Sequence, residues 1–204
     1  MATIKNEGSR RIFKSDFLES LTRAHISVPL TLFYGVAVVL MAYEFYKEII
    51  PGWQLIITFI CGIFFWTIFE YFVHRYVFHV GRGASNWRKN LQETIHGVHH
   101  EYPRDKGRLA LPPVLSVIVS SFFIVVFKLI LGDFGFPAVA GFLTGYATYL
   151  VVHYSVHAFR PPKNFFRRLW INHSIHHYKD PNTVFGVSSP VWDYVFGTIP
   201  KEKF

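Results

Sequence analysis

The chain has 204 residues, 51% of them hydrophobic and 19% aromatic, with a formal net charge of +8. A composition this apolar, with a positive mean hydropathy, excludes an ordinary soluble domain of similar size. Cys61 is the only cysteine, which excludes a disulfide framework and a thiolate metal site. The Lys and Arg residues flank apolar runs and form no recognisable nucleic-acid module, so an anionic membrane surface is the partner the charge implies.

In chain order, Ser15 is placed to cap a short helix with Phe13, Phe17 and Leu21 on one face, an interfacial anchor within the segment 1–25. A bilayer core needs roughly 20 apolar residues per helix. Four stretches satisfy this, at about 27–47, 53–79, 112–131 and 134–153. Pro29, Tyr43 and Glu44 interrupt the first. Cys61 falls inside the second, where packing is its expected role. The third opens on Pro112 and Pro113, and the fourth carries Gly141 and Gly145 at the GxxxG spacing that lets another helix approach closely. No cleavable signal precedes the first run, which is expected to remain as a span.

Short turns near 47–53 and 132–137 would join these spans into two hairpins, with both turns on one side. Of 21 Lys and Arg residues, only Lys47 and Lys128 lie near the turns, so the remaining segments are expected to be cytoplasmic. The expected fold is an all-α integral membrane protein: four transmembrane helices in two hairpins, with a histidine-rich helical cap, including 154–204, on the cytoplasmic side. The whole chain, 1–204, reads as a single domain.

Ten of the 11 histidines fall into four groups at the ends of these runs. They are His74 and His79; His96, His99 and His100; His153 and His157; and His173, His176 and His177. His25 stands apart, as an interfacial side chain. Counted from His74, the first five lie at offsets 0, 5, 22, 25 and 26; counted from His153, the second five lie at 0, 4, 20, 23 and 24. Each half therefore delivers a pair and then an HxxHH triplet to a common site. Imidazole is the commonest protein metal ligand and is costly to bury unpaired. At about 100° per residue, His153 and His157 share a helix face, as do the outer members of each triplet. His74 and His79 lie about 140° apart on an ideal helix, so they need a distorted helix end or must serve different ions. The second option suits a two-metal site, since ten nitrogens exceed what one ion accepts. Structural zinc sites normally close with four ligands, often including Cys, so this set favours a dinuclear catalytic centre.

Four strings carry a family resemblance: FEYFVHRYVFH (69–79), IHGVHHEYPRDKGRLALPP (95–113), HYSVHAF (153–159) and NHSIHHYKDPNTVFGVSSPVWDYVFGT (172–198). They resemble the fatty acid hydroxylase superfamily of membrane di-iron oxygenases. The HGxHHxxPxDxxRLxxPP loop and the FGVSSPxWDxxFGT ending are similar to those of the fatty acid and sphingolipid 2-hydroxylases. Where relatives read HYxxHH after an Asp, the third motif here is HYSVHA, with the spaced pair His153 and His157 retained.

The resemblance implies two iron ions held by the ten histidines, with zinc able to occupy the same sites in purified protein. It also implies dioxygen cleavage and hydroxylation of the acyl carbon beside the carbonyl of a fatty acid, ceramide or other sphingolipid. Electrons must then come from an external carrier of cytochrome or ferredoxin type, since this sequence has no haem, flavin or iron–sulfur motif. The location implied is a multi-pass membrane protein with its site facing the cytoplasm, in the endoplasmic reticulum of a eukaryote or the inner membrane of a bacterium. The alternatives are a sterol or other lipid oxidase or desaturase of the same superfamily, and a non-enzymatic membrane metal-binding protein.

Around the histidines, Glu70 lies one turn before His74 and is expected to orient an imidazole, the competing role being a pair with Arg75 or Arg108. Asp105, Arg108, Pro112 and Pro113 are candidates for a rigid loop closing over the site, the competing role being helix-start geometry with a headgroup salt bridge. Asp193 is a candidate for ordering the tail beside Trp192, Tyr194 and Phe196, aromatics that packing alone explains equally well.

Overall fold

The computed structural model describes residues 4–81 and 83–200, and these are helical apart from connecting loops. Ser15 caps α1 (Asp16–Ser20), its hydroxyl accepting from the Leu18 amide at 3.5 Å. The four apolar runs become α2 (Ser27–Lys47), α3 (Gly52–Val73), α6 (Pro113–Leu131) and α7 (Gly135–Ala158). Between α3 and α6 lie a π-turn (His74–Phe78), α4 (Asn86–Gln92), a second π-turn (Glu93–Gly97), α5 (Val98–Glu101) and a 3₁₀ turn (Lys106–Arg108). Two short helices, α8 (Arg167–Tyr178) and α9 (Val191–Val195), follow α7.

The helix ends match the apolar runs closely because the runs themselves set the length of chain that water does not solvate. Two boundaries differ. α3 stops at Val73, short of the expected end at 79, with the π-turn continuing to Phe78. α7 continues to Ala158, past the expected end at 153, and so carries His157 on the same rod as His153. Three helical stretches are long and apolar enough to cross a membrane: Ser27–Lys47, Gly52–Phe78 and Lys106–Ala158. The last has 53 residues and contains both α6 and α7. The chain folds back between them, so that Phe142 meets Phe123 at 4.7 Å and Phe127 at 5.3 Å between ring centroids.

α7 is the axis of the bundle. It is buried from Pro137 to Leu143, and Val139, Phe142, Leu143, Ala147 and Leu150 join Phe33 of α2 and Trp66 of α3 in the core. The expected first hairpin is not a tight one: α2 and α3 barely touch, and each packs on α7 instead. Small residues decide this. A Cβ on Gly141 would collide with the Phe59 carbonyl, and one on Gly145 would meet the Trp66 side chain at 2.5 Å. Only glycine lets α3 approach so closely. Cys61, expected to pack, is exposed on the outer face of α3, as are Ile57, Ile60 and Phe64.

The N-terminal segment does more than anchor. Phe17 and Leu21 are exposed as expected, but the Lys5 amide donates to the Glu101 carbonyl at 2.8 Å and the Ala24 amide to the Gly107 carbonyl at 3.0 Å. Arg10 pairs with Glu93 at 2.6 Å. These contacts strap residues 5–24 across the elements that carry the first HxxHH triplet.

Candidate metal centre

The ten clustered histidines converge around the C-terminal ends of α3 and α7, and they sort into two groups of five. His74, His79, His96, His100 and His176 form one, and His99, His153, His157, His173 and His177 the other; within each, five ring nitrogens lie within 4.8 Å of one another. His25 lies elsewhere, bonded to Ser27. The groups do not follow the two halves of the sequence. Each takes four histidines from one half and the middle triplet histidine, His176 or His99, from the other. Helical spacing accounts for the exchange: positions i and i+4 of a triplet share a face, while i+3 is rotated to the other side of the starting residue.

His74 and His79 belong to one group, so of the two options open to them the structure shows the distorted helix end rather than two separate groups. The π-turn His74–Phe78 is the distortion required: its i→i+5 hydrogen bonds bring residues five apart nearly onto one face.

Backbone carbonyls fix the ring tautomers. His74 Nδ1 donates to the Phe185 carbonyl at 2.5 Å, His176 Nδ1 to that of Thr183 at 2.8 Å, and His153 Nδ1 to that of Leu109 at 3.4 Å. A neutral ring that donates from Nδ1 offers a lone pair at Nε2. These Nε2 atoms point inward at other Nε2 atoms: His74 to His96 at 3.2 Å, His176 to His79 at 2.9 Å, and His153 to His99 at 3.0 Å. Five ring nitrogens crowded this closely in each group, with the tautomers of His74, His176 and His153 aimed inward, suit a cation in each group. The donor set is all nitrogen, matching iron or zinc equally well.

Electrostatics agree. Burial, followed by neighbouring rings, pushes His96, His99, His173 and His177 well below the usual imidazole range. Burial, then His176 and His79, lowers His100 to about 2, while burial lowers His176 to about 4. The rings are therefore neutral and ligand-ready at physiological pH.

The acidic candidates act on backbone rather than on rings. Glu70 accepts from the amides of Val187 at 2.7 Å and Ser188 at 2.9 Å, and from the Ser188 hydroxyl. Among the described residues it bonds neither Arg75 nor Arg108 and makes no direct hydrogen bond to an imidazole, reaching His74 only through the segment that it holds. Asp193 accepts from the amides of Phe185 and Gly186, each at 2.8 Å, and from the Thr198 hydroxyl at 2.6 Å. Burial pushes its carboxyl up against the pull of those hydrogen bonds. The two carboxylates thus grip both ends of the segment 185–188, whose first carbonyl orients His74. Nothing in the sequence marked Phe185 or Thr183 as orienting groups, because they act through backbone oxygens.

Arg108 is also interior, with its side chain 6% exposed. It pairs with Glu19 and bonds Thr22 at 2.9 Å and Asp105 at 3.5 Å, and Asp105 in turn accepts from Ser9. This network holds the loop that supplies the Leu109 carbonyl to His153. Trp192 and Phe196 pack on α3, through Thr67 at 3.0 Å and a stacked Tyr71 at 5.1 Å, while Tyr194 is exposed and bonds Arg168. Tyr149, which stands where relatives place an Asp before the third motif, stacks on His153 at 5.4 Å.

Two cavities reach the rings. One of about 360 Å³ is mostly apolar, lined by Trp66, Leu111, Leu115 and Leu150 and by His74, His96, His99 and His153. The other, about 580 Å³, meets His157, His173 and His177.

Residues 59–198 match the family described as fatty acid hydroxylase. A dihydroceramide fatty acyl 2-hydroxylase of Arabidopsis thaliana is 35% identical over 200 residues, covering 95% of this chain and 81% of the relative. A ceramide very long chain fatty acid hydroxylase of Schizosaccharomyces pombe is 34% identical over 198 residues, covering 95% and 56%. The solved hydroxylase domain of scs7p superposes with a TM-score of 0.85 at 35% identity, covering 94% of this chain and 72% of that one. The chain belongs to the fatty acid hydroxylase family.

Proposed function

We propose that this enzyme is a two-iron monooxygenase that hydroxylates the 2-position of the acyl chain of a sphingolipid or fatty acid. The observation that carries this reading is the mostly apolar cavity, whose lining includes histidines of both groups, His74 and His96 from one and His99 and His153 from the other. A lipid tail has an apolar wall to lie along, and only its polar end reaches the rings. The relatives named as acyl 2-hydroxylases support that choice of substrate and position.

In this reading the ten histidines are the ligands, five to each ion. Bound iron supplies the redox chemistry with dioxygen that side chains lack. The chain's own part is positional. Phe185, Thr183 and Leu109 carbonyls keep protons on the outer ring nitrogens, Glu70 and Asp193 hold the segment 185–188, and the Glu19–Arg108–Asp105 network holds the loop before α6. Trp66, Leu150 and the other apolar walls keep water from the reacting carbon.

The single domain 1–204 would cross the membrane four times, α6 and α7 counting as separate spans. The scarcity of Lys and Arg at the α2–α3 and α6–α7 turns puts the histidine side in the cytoplasm. The overall change, RH + O₂ + 2e⁻ + 2H⁺ → ROH + H₂O, requires an external electron donor.

The test is expression in a sphingolipid-containing host beside a His176→Ala variant, with lipids compared by mass spectrometry. Wild type is expected to add one oxygen at the 2-position and the variant none. Wild-type extracts without 2-hydroxyacyl species, despite iron and a reductant, would overturn the reading.

A further inference from the structure

The larger cavity is chemically unlike the lipid-sized one, and the two share no lining residue. It opens between the end of α7, the loop at 104–106 and α8, and its floor includes His157, His173 and His177. Arg104, Lys106 and Arg160 surround it, and no carboxylate lines it. All three cations are exposed, and none makes an ion pair among the described residues. By contrast Arg108, two residues from Lys106, is fully engaged with Glu19 and Asp105. Three unpaired like charges around one concavity repel each other and attract an acidic surface.

Location adds a second argument. Hydroxylation consumes two electrons, and these 204 residues contain no haem-attachment motif, flavin fingerprint or iron–sulfur cysteines. A donor seated over this cavity would sit beside three of the five rings of one histidine group, which line it. The apolar cavity would remain free for lipid while the donor is bound.

We propose that the Arg104, Lys106 and Arg160 pocket is the docking site of a separate acidic electron-transfer protein. The inference rests on the hydroxylase reading above. The reduced carrier binds, is oxidised at the histidine edge and leaves. Two one-electron visits supply the two electrons that, with two protons, reduce dioxygen to the product hydroxyl and one water.

The test uses the metal-loaded full chain in detergent, with a soluble, net-negative b-type cytochrome as probe. Carrier affinity is measured by surface plasmon resonance at about 0.05 and 0.3 M salt, a range over which surface charge is increasingly screened. The Arg104→Glu/Arg160→Glu double variant is expected to bind the carrier at least about tenfold more weakly, with a smaller salt dependence, while its metal content and lipid KM stay at wild-type values. The milder Arg104→Gln/Arg160→Gln pair, expected to be intermediate, serves if charge reversal disturbs folding.

Turnover driven by dithionite through a small dye mediator separates this inference from the reading beneath it. No dye-driven hydroxylation in wild type would remove the hydroxylase reading itself. Dye-driven turnover in wild type, with carrier affinity unchanged in both variants, would overturn the docking site alone. Loss of binding to phosphatidylserine vesicles with unchanged carrier affinity would overturn it too, assigning the pocket to lipid headgroups.

Discussion

In one histidine group, His74 and His176 are tied to the Phe185 and Thr183 carbonyls of the segment that follows α8. In the other, His153 alone reaches a carbonyl, and the Nδ1 atoms of His99, His173 and His177 are buried without a protein partner. The first group is built on a π-turn and clamped by a distant tail. The second has four of its five rings on the straight helices α7 and α8. One site is thus held by long-range hydrogen bonds and the other by regular helical spacing, so they should respond differently to the same kind of damage.

The largest effect should come from ligand pairs that test how the rings are sorted. His99→Ala with His157→Ala removes two ligands from one group and is expected to lower metal content by about one ion per chain. His99→Ala with His96→Ala, although the two are sequence neighbours, removes one from each and is expected to deplete both ions. Each pair should cut hydroxylation by more than about 100-fold, beyond the loss typical of outer hydrogen-bond partners. Elemental analysis showing the reverse pattern would mean that ligation follows the halves of the sequence.

A smaller and one-sided effect is expected from the clamps. Asp193→Asn loosens Phe185 and should weaken one metal site by about 10–100-fold, leaving the His153 group loaded. Arg108→Ala, acting through the Leu109 loop, should do the opposite, with a stability loss of about 1–3 kcal/mol from its lost charged hydrogen bonds. Metal titration of the two variants checks the pair, and equal loss at both sites in either variant would break the contrast.

Acid should act on both groups and most gently near neutrality. Unfolded histidine titrates near 6.5, whereas His176 is held down to about 4 by burial in the folded chain. Below about pH 6.5 the unfolded state therefore binds more protons, and stability must fall as pH falls. The metal-free protein is expected to melt at a constant temperature above that pH and a few degrees lower near pH 5, at about 2–4 °C per kcal/mol. A higher melting temperature at pH 5 than at pH 7.5 would contradict the burial of neutral rings.

Much of this was legible in the residues. The apolar runs set the four long helices, Gly141 and Gly145 marked the close approach of α3 to α7, and the spacing of ten histidines marked a cluster that could hold metal. These signals are local: hydrophobic run length, helical period and side-chain size act within a few turns of chain. Other features depended on groups that meet only after folding. The π-turn that brings His74 to His79 is a local distortion that an ideal helical period does not announce. The exchange of His99 and His176 needs both halves packed together, and the grip of Glu70 on Val187 and Ser188 rests on hydrogen bonds between residues distant in sequence. So does the strap of residues 5–24, whose Glu19 and Arg10 read as ordinary surface charges until Arg108 and Glu93 are brought beside them. The sequence by itself determined which atoms could bind metal. Tertiary structure decided how they divide, because a backbone carbonyl looks the same in every residue until the fold puts it against a ring.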